Sequence, residues 1–279
     1  MIRGLYTATS SMLCETIRQD MIANNLANVD TAGYKRDQGI FKELPTMELR
    51  KVNDGKLYPP RPFVKFPKIG KLGTGVILDE SFTDFSAGKC EFTDNNLDCA
   101  LENSKAFFLI ETPQGIRYSR DGIFNINSDG FLTNMNGDFV MAETEPVEAS
   151  GNVLIDSDGK QKSEFSRVQA GQQDKISIDT EGRIILNGQA KYRLVRGMAE
   201  DRKAFRKEGS NAFVRSYGEV QRADGKVKPG YVEKPNFSLV EEMVKMIEVS
   251  RAYEANSKVV QAHDSLLDKA VNSVGPGRR

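Results

Sequence analysis

The segment Pro235-Asn236-Phe237-Ser238-Leu239-Val240-Glu241-Glu242 decides the fold, because a long helix begins in it. Ser238 followed by Glu241 is a capping-box pattern, in which each side chain can bond the backbone N–H of the other residue. No proline or glycine follows before Gly275. Steps of three and four residues then reach a mostly apolar series: Leu239, Glu242, Met246, Val249, Tyr253, Asn256, Val260, His263, Leu267, Ala270 and Val274. This heptad spacing predicts a coiled-coil-like helix of about 35 residues.

The N-terminal end has a matching pattern. Residues 2–28 contain no proline and no glycine after Gly4, and their apolar side chains recur with helical spacing. Asn28, Asp30 and Gly33 then favour turns, which predicts a helix from about residue 3 to residue 28. Because a lone amphipathic helix is marginal in water, the two helices are expected to pair with each other or between subunits.

The stripes of the two helices provide the candidate packing residues. We expect contacts between a first set and a second set: Leu5, Met12, Ile17, Met21 and Leu26, and Met246, Val249, Tyr253, Val260 and Leu267. Asn256 is polar within the second stripe, and a buried polar seam residue can fix the register of a coiled coil. We therefore expect Asn256 to set the register.

The middle of the chain has a different character. Residues 45–75 are rich in proline and glycine, which predicts an extended arm rather than a compact element. From about residue 76 to residue 232, short β-rich runs alternate with Asn-Gly and Asp-Gly pairs, which are hairpin signals. The sequence therefore predicts an α+β fold with a mostly antiparallel β domain. We expect a helical inner domain from residues 1–35 and 235–275, a Pro-rich arm at 36–75 and a β-rich outer domain at 76–234.

Composition excludes several classes of function. The 39 basic and 39 acidic residues give a net charge of zero, which argues against a general nucleic-acid binder and permits self-association. The apolar run at residues 107–110 is far shorter than the roughly 20 residues of a membrane-spanning helix. Polar residues stand where a cleaved secretion signal would need its apolar core, so we expect a cytosolic protein or one exported by a route that leaves no cleaved signal.

Candidate chemistry is sparse. The one histidine, His263, lies within the C-terminal stripe, and the three cysteines form no CxxC pair. We therefore expect no catalytic residue, no metal site and no cofactor. Cys90 and Cys99 are expected to be packing residues, and a disulfide between them stays open for an oxidising compartment.

Three stretches resemble the rod and hook family of bacterial flagellar axial proteins. Residues 22–36 are similar to its N-terminal signature, which here contains Asn24, Asn25, Asn28, Thr31, Gly33, Tyr34 and Lys35. Residues 236–258 resemble its C-terminal motif, with Glu241, Glu242, Arg251 and Tyr253. Residues 118–124 resemble part of its β domain, with Arg120, Asp121 and Gly122. One departure is Asn103-Ser104-Lys105-Ala106, where the family usually has glycines.

The resemblance implies a structural subunit of the flagellar basal-body rod in the cell envelope, and no enzyme. Such a subunit is exported unfolded by the flagellar type III export apparatus. It polymerises with itself and other rod and hook proteins, inside the surrounding rings, into a helical hollow drive shaft needed for motility. No nucleic acid and no membrane insertion are involved.

Several alternatives stay open. The length indicates a rod protein rather than the hook protein, whereas proximal and distal rod subunits are not separated. A secreted β-rich hydrolase and a rod cap or export-associated protein are the competing hypotheses. We expect Asn24, Asn25 and Asn28 to cap and turn the first helix, and Arg120 with Asp121 to form a turn and a salt bridge.

Overall fold

The chain divides into two compact units, as a computed structural model shows for residues 2–50, 68–144, 153–155, 165–171, 174–223 and 225–274. The first unit consists of Met1–Asn24, Asp37–Phe82 and Val240–Arg279. The second consists of Asn25–Arg36 and Thr83–Leu239. Each unit therefore combines segments that are far apart in the sequence, and the chain crosses from one unit to the other four times.

The two terminal helices dominate the first unit. Helix α1 spans Ile2–Ala27, and helix α2 spans Leu239–Lys269 and ends in a π-helical turn at Ala270–Val274. Both predicted helices are thus confirmed. Gly4 of α1 lies directly against the His263 imidazole, since a Cβ atom at position 4 would be 2.6 Å from its Nε2 atom.

The first unit also contains two separate two-stranded sheets, which we name together the β ladder. Their strands are β1 (Asp37–Glu43), β2 (Met47–Arg50), β3 (Lys68–Leu72) and β4 (Val76–Thr83). Strand β1 pairs with β4, and β2 pairs antiparallel with β3. Residues 47–50 and 68–72, for which proline and glycine content suggested loop, are therefore strands, because pairing satisfies their backbone N–H and C=O groups. The proline-rich residues 51–67 of the predicted arm lie outside the described residues.

Helix α1 packs on this ladder. The Ser10 hydroxyl accepts a bond from the Val76 N–H at 3.3 Å, and the Cys14 thiol donates to the Val76 carbonyl at 3.3 Å. The Arg18 guanidinium lies 4.6 Å from the centre of the Phe41 ring. The ladder therefore covers one face of α1.

The second unit is mostly antiparallel β structure, as the turn pattern predicted. Its strands are β5 (Cys90–Phe92), β6 (Cys99–Leu101), β7 (Phe107–Thr112), β8 (Gly115–Ser119), β9 (Phe124–Ile126), β10 (Leu132–Asn134), β11 (Phe139–Thr144), β12 (Val153–Ile155), β13 (Ser166–Arg167), β14 (Ile176–Ile178), β15 (Arg183–Leu186), β16 (Gln189–Leu194), β17 (Arg196–Ala199), β18 (Phe205–Glu208), β19 (Ala212–Arg215), β20 (Val220–Arg222), β21 (Val227–Pro229) and β22 (Tyr231–Glu233). A 3₁₀ turn at Arg202–Ala204 precedes β18.

Within the described residues, β7 to β20 form one connected sheet. Its main path runs β12-β20-β17-β7-β11-β16-β15-β14, while β21 pairs with β6 and β22 pairs with β5 in separate ribbons. Strand β7 occupies the middle of the path and is flanked by β8, β11 and β17.

Strand β7 explains the most apolar run of the sequence. Alternate side chains of a strand point to opposite faces. Phe107 and Leu109 enter an aromatic core with Tyr118 and Phe213, whereas Phe108 enters a second core with Phe124. Because both faces of β7 are covered, the strand is apolar at consecutive positions instead of alternating.

Candidate functional site

The N-terminal motif leaves helix α1 through a series of turns. The Asn28 N–H donates to the Asn25 carbonyl at 3.0 Å, and the Thr31 N–H donates to the Asn28 carbonyl at 3.2 Å. The Thr31 hydroxyl also contacts the Asn28 side-chain oxygen at 3.2 Å. Asn24 is exposed at the end of the helix. These bonds bring the chain back from the helix towards the β structure of the second unit.

Gly33 makes the closest approach of the motif to the β structure. Its backbone has a φ of 67°, and a Cβ atom there would lie 2.4 Å from the Arg120 carbonyl carbon. Its N–H donates to the backbone carbonyl of Glu233 at 2.8 Å. Both the positive φ and the contact with backbone require glycine.

Lys35, two residues after Gly33, belongs to a buried group of charged side chains. Its Nζ atom lies 2.6 Å from Glu233 Oε1 and donates to the Ser86 carbonyl at 2.7 Å. Arg120 reaches the other oxygen of the same carboxylate, with Nε at 2.8 Å and Nη2 at 2.6 Å. We name Lys35, Arg120 and Glu233 the ionic junction. All three side chains are at most 2% exposed.

The ionic junction holds two cations around one carboxylate. Burial raises the pKa of Glu233, but Arg120 and Lys35 outweigh burial and hold it below its usual value. Burial lowers the pKa of Lys35, Glu233 offsets this only in part, and the positive charge of Arg120 lowers the pKa further. The Gly88 N–H adds a bond to Glu233 Oε1 at 2.9 Å. Loss of Glu233 would therefore leave two buried cations without their counter-ion.

The loop that departs from the family pattern completes the surroundings of Arg120. The Arg120 Nη1 group donates to the carbonyls of Asn103 and Ala106, at 2.7 and 2.5 Å. The Asn103 side chain accepts the Lys105 N–H at 3.0 Å and so closes the turn. An Asx turn therefore bends this loop without glycine.

Tyr34, the motif residue between Gly33 and Lys35, makes a separate set of contacts. Its hydroxyl donates to the Asn25 side-chain oxygen at 3.0 Å, and its ring meets Phe237 edge-on with centroids 6.0 Å apart. The Lys207 ammonium lies 3.6 Å from the Tyr34 ring centre and donates to the Lys35 carbonyl at 2.8 Å. The aromatic ring is thus enclosed by groups from three parts of the chain.

Asp121 is a second buried carboxyl beside the junction. It accepts bonds from the Ile123 N–H and the Asn211 amide, both at 3.0 Å. Burial raises the pKa of Asp121 to about 6, and these hydrogen bonds offset the shift only in part. The next position, 122, requires glycine, because a Cβ atom there would lie 1.7 Å from the Cys99 carbonyl oxygen.

The structure brings only part of the predicted set together. Asn25, Gly33, Tyr34, Lys35 and Arg120 converge in the second unit. Glu241, Glu242 and Arg251 lie on α2 in the first unit, where the Lys245 ammonium pairs with Glu241 at 2.7 Å and Glu242 at 2.9 Å. Sequence reasoning missed Glu233 and Lys207. Glu233 had a signal, since it is a charge in a short β run directly before the helical segment.

The predicted helix-packing residues differ in exposure. Val249 is buried, and Tyr253 is 38% exposed. The half-buried members are Leu5, Met12, Ile17, Met21, Leu26, Met246, Asn256, Val260 and Leu267. Which residue of α1 meets which residue of α2 stays a prediction.

Other candidate chemistry is limited in the part of the chain that the structure describes. No group of three or more His, Cys, Asp or Glu side chains is placed to hold a metal ion there. Cys14, Cys90 and Cys99 are free thiols. None of the described helices is both long and apolar enough to cross a membrane.

Comparison with known proteins gives these motifs a family. The family model described as Flagella basal body rod protein matches residues 5–35. The model for the Flagellar hook protein FlgE/F/G D1 domain matches residues 103–186, and that for the Flagellar basal body rod FlgEFG protein C-terminal region matches residues 228–273. The three matches lie in both units and contain the converging residues Gly33, Lys35, Arg120 and Glu233.

Relatives that match over nearly the whole chain belong to the same family. The flagellar basal-body rod protein FlgG of Buchnera aphidicola subsp. Schizaphis graminum is 30% identical over 270 residues, which cover 96% of this chain and 98% of that protein. FlgG of Borreliella burgdorferi is 30% identical over 283 residues and 98% of each chain. The flagellar hook-basal body complex protein FlhO of Bacillus subtilis is 28% identical over 99% of each chain.

This chain therefore belongs to the flagellar basal-body rod protein family. It is a structural subunit of the rod, located in the basal body of the bacterial flagellum.

The ionic junction makes a direct prediction for stability. Replacing Glu233 by Gln removes the shared negative charge while keeping the shape, so we expect a loss of about 3 to 5 kcal/mol in the free energy of unfolding. Chemical denaturation followed by near-ultraviolet circular dichroism, which reports the buried Tyr34 and Tyr118 of the second unit, measures this loss. The exposed Glu219→Gln is the control. Equal stability of the two variants would show that the junction does not hold this unit together.

Asp121 makes a prediction for pH dependence. Its folded pKa of about 6 exceeds the ordinary value of 3.8, so the folded state binds the proton more tightly. The contribution of Asp121 to the free energy of unfolding therefore rises as pH falls from 7 to 4, by about 2 kcal/mol. Other carboxyls give their own trends, so the test is the difference between wild type and Asp121→Asn. If this difference does not change between pH 7 and pH 4, Asp121 does not have the raised pKa.

Proposed function

We propose that this rod subunit is exported unfolded by the flagellar type III export apparatus and polymerises with copies of itself and with other rod and hook proteins. The product is a helical hollow shaft, within the surrounding rings, that joins motor and hook. Polymerisation is supported by one observation above all, the exposed apolar face of α2.

Helix α2 has two different faces. Glu242, Met246 and Val249 follow the heptad stripe and are buried or half-buried. A separate set at i, i+3, i+4 and i+7 is 49–67% exposed: Val240, Met243, Val244 and Ile247. At 3.6 residues per turn this set lies on the side of the helix opposite to the stripe. A cluster of exposed large apolar side chains marks an interaction site.

Helix α1 supports the same proposal. Tyr6 and Leu13, seven residues apart on one face, are 69% and 62% exposed. Ser10, Cys14 and Arg18, which contact the β strands, lie on a neighbouring side of the helix. Tyr6 and Leu13 are left exposed, and we propose that they contact another subunit. We propose that the coiled-coil-like pairing of α1 with α2 uses the stripe of α2, and the contact of Gly4 with His263 supports this pairing. The exposed faces then pack on neighbouring copies.

Exposed apolar faces on both helices allow identical subunits to form a polymer. Contacts between two different surfaces of identical subunits do not close on themselves unless the rotation forms a ring, and otherwise they extend as a helix. We propose that residues 1–35 and 235–275 form the inner wall of this helix and that residues 76–234 stand outside. The arm at 36–75 is proposed to brace adjacent subunits.

The proposal couples folding to assembly. In a single subunit, helices that bury only part of their apolar surface have marginal stability. They become more stable when neighbouring subunits cover the rest of that surface. A subunit with marginal terminal helices is also easier to pass through an export channel as an extended chain. The well-packed second unit would then refold on arrival without help from other subunits.

The exposed face of α2 makes the test. Val244→Asp combined with Ile247→Asp places two charges on this face, so we expect the variant subunit to fold and be exported but not to assemble, and the cells to be non-motile. Swimming and the subunit content of isolated basal bodies measure the effect. Met135→Asp in the second unit is the control, because Met135 is 67% exposed and lies on another surface. Motile cells with the double variant in their rods would refute this role of α2.

A further inference from the structure

The four chain crossings between the two units share one feature. The chain passes between them after residues 24, 36, 82 and 239. In the second unit, residues within three positions of each crossing contact one another: Arg36, Asp84 and Asn236 are joined by hydrogen bonds, and Tyr34 bonds Asn25 and packs on Phe237. Crossings that are far apart in the sequence are therefore held together at one place on this unit.

Asn236 makes most of these bonds. Its side-chain oxygen accepts the backbone N–H of Arg36 at 3.0 Å. Its side-chain nitrogen donates to the Asp84 carbonyl at 2.7 Å and lies 2.9 Å from the Ser86 hydroxyl. A side-chain amide carries both an acceptor oxygen and a donor nitrogen, so it can accept from one backbone segment while it donates to another. Asn236 thus joins three crossings with a single group.

Arg36 and Asp84, which both lie beside crossings that Asn236 joins, are also bonded directly to each other. The Asp84 N–H donates to the Arg36 carbonyl at 2.9 Å, and the Arg36 Nε atom donates to the Asp84 carboxylate at 3.2 Å. The fourth crossing is joined through Tyr34, which bonds Asn25 and packs on Phe237, next to Asn236. We name Arg36, Asp84 and Asn236 the crossing clamp.

We propose that the crossing clamp, together with Tyr34, fixes the positions from which all four connections leave the second unit, and that Asn236 is its positioning residue. A connection that is free at its root can act as a hinge, since a few terminal residues absorb changes in φ and ψ. Four connections fixed at one place cannot swivel independently. In a shaft that carries torque, which rests on the proposed function, this restriction limits twisting within each subunit.

The clamp is distinct from the ionic junction in what it holds. The junction is fully buried, whereas Arg36, Asp84 and Asn236 are only half-buried. Loss of a half-buried bond opens structure locally, while loss of buried charge pairing destabilises the whole unit. Asn236 should therefore control the crossings without controlling the fold.

The test uses the bond between Arg36 and Asp37, which trypsin can cleave at one of the crossings. In Asn236→Ala of the full chain we expect faster appearance of the fragment that ends at Arg36 and faster exchange of the Arg36 amide hydrogen. The midpoint of thermal unfolding of the second unit should not change. The exposed Asn96→Ala is the matched control and should behave as wild type.

A second variant keeps the proposal testable if Asn236→Ala does not fold. Asp84→Asn removes the charge opposite Arg36 and should also speed cleavage after Arg36. Wild-type cleavage and exchange in both folded variants would overturn the proposal. Because these measurements use the purified subunit, they are independent of rod assembly: failure of wild-type protein to enter basal bodies would refute the proposed function and leave the clamp result unchanged.

Discussion

The carboxylate of Glu233 is the constraint on which the second unit depends. It pairs with Lys35 from the N-terminal motif and with Arg120, which directly follows strand β8, and it stands shortly before the C-terminal helix. Three distant parts of the chain therefore meet at one buried charge. Burying charges is costly unless they are paired, so the three segments are stable together and unstable apart.

This arrangement gives the family motifs a physical meaning. Gly33 permits the close approach to Arg120, Tyr34 is enclosed by Asn25, Phe237 and Lys207, and Lys35 completes the junction. The motif residues thus fasten both ends of the chain to the β structure. The helices beyond these fastened segments keep apolar faces exposed, as expected of a subunit that is completed by its neighbours.

The sequence predicted the regular elements well because their periodicity is local. The heptad stripe and its capping box located α2, and the Asn-Gly and Asp-Gly turns indicated antiparallel β structure. Strand β4 lies in the region predicted to be β-rich, whereas β1, β2 and β3 were not predicted, since they are stabilised by pairing between separate segments rather than by their own composition. The junction was also missed, because the partnership of Lys35 with Glu233 spans 198 positions and leaves no local pattern.

The central claim is that the junction holds in the single subunit while the terminal helices become stable only in the rod. Residue-resolved hydrogen exchange, on the purified subunit and on assembled rods, tests this claim most directly. We predict that the Gly33 amide, bonded to the Glu233 carbonyl, is protected in both states, and that the amides of α1 and α2 are strongly protected only after assembly. Equal protection of the helices in the free subunit and in the rod would contradict the account.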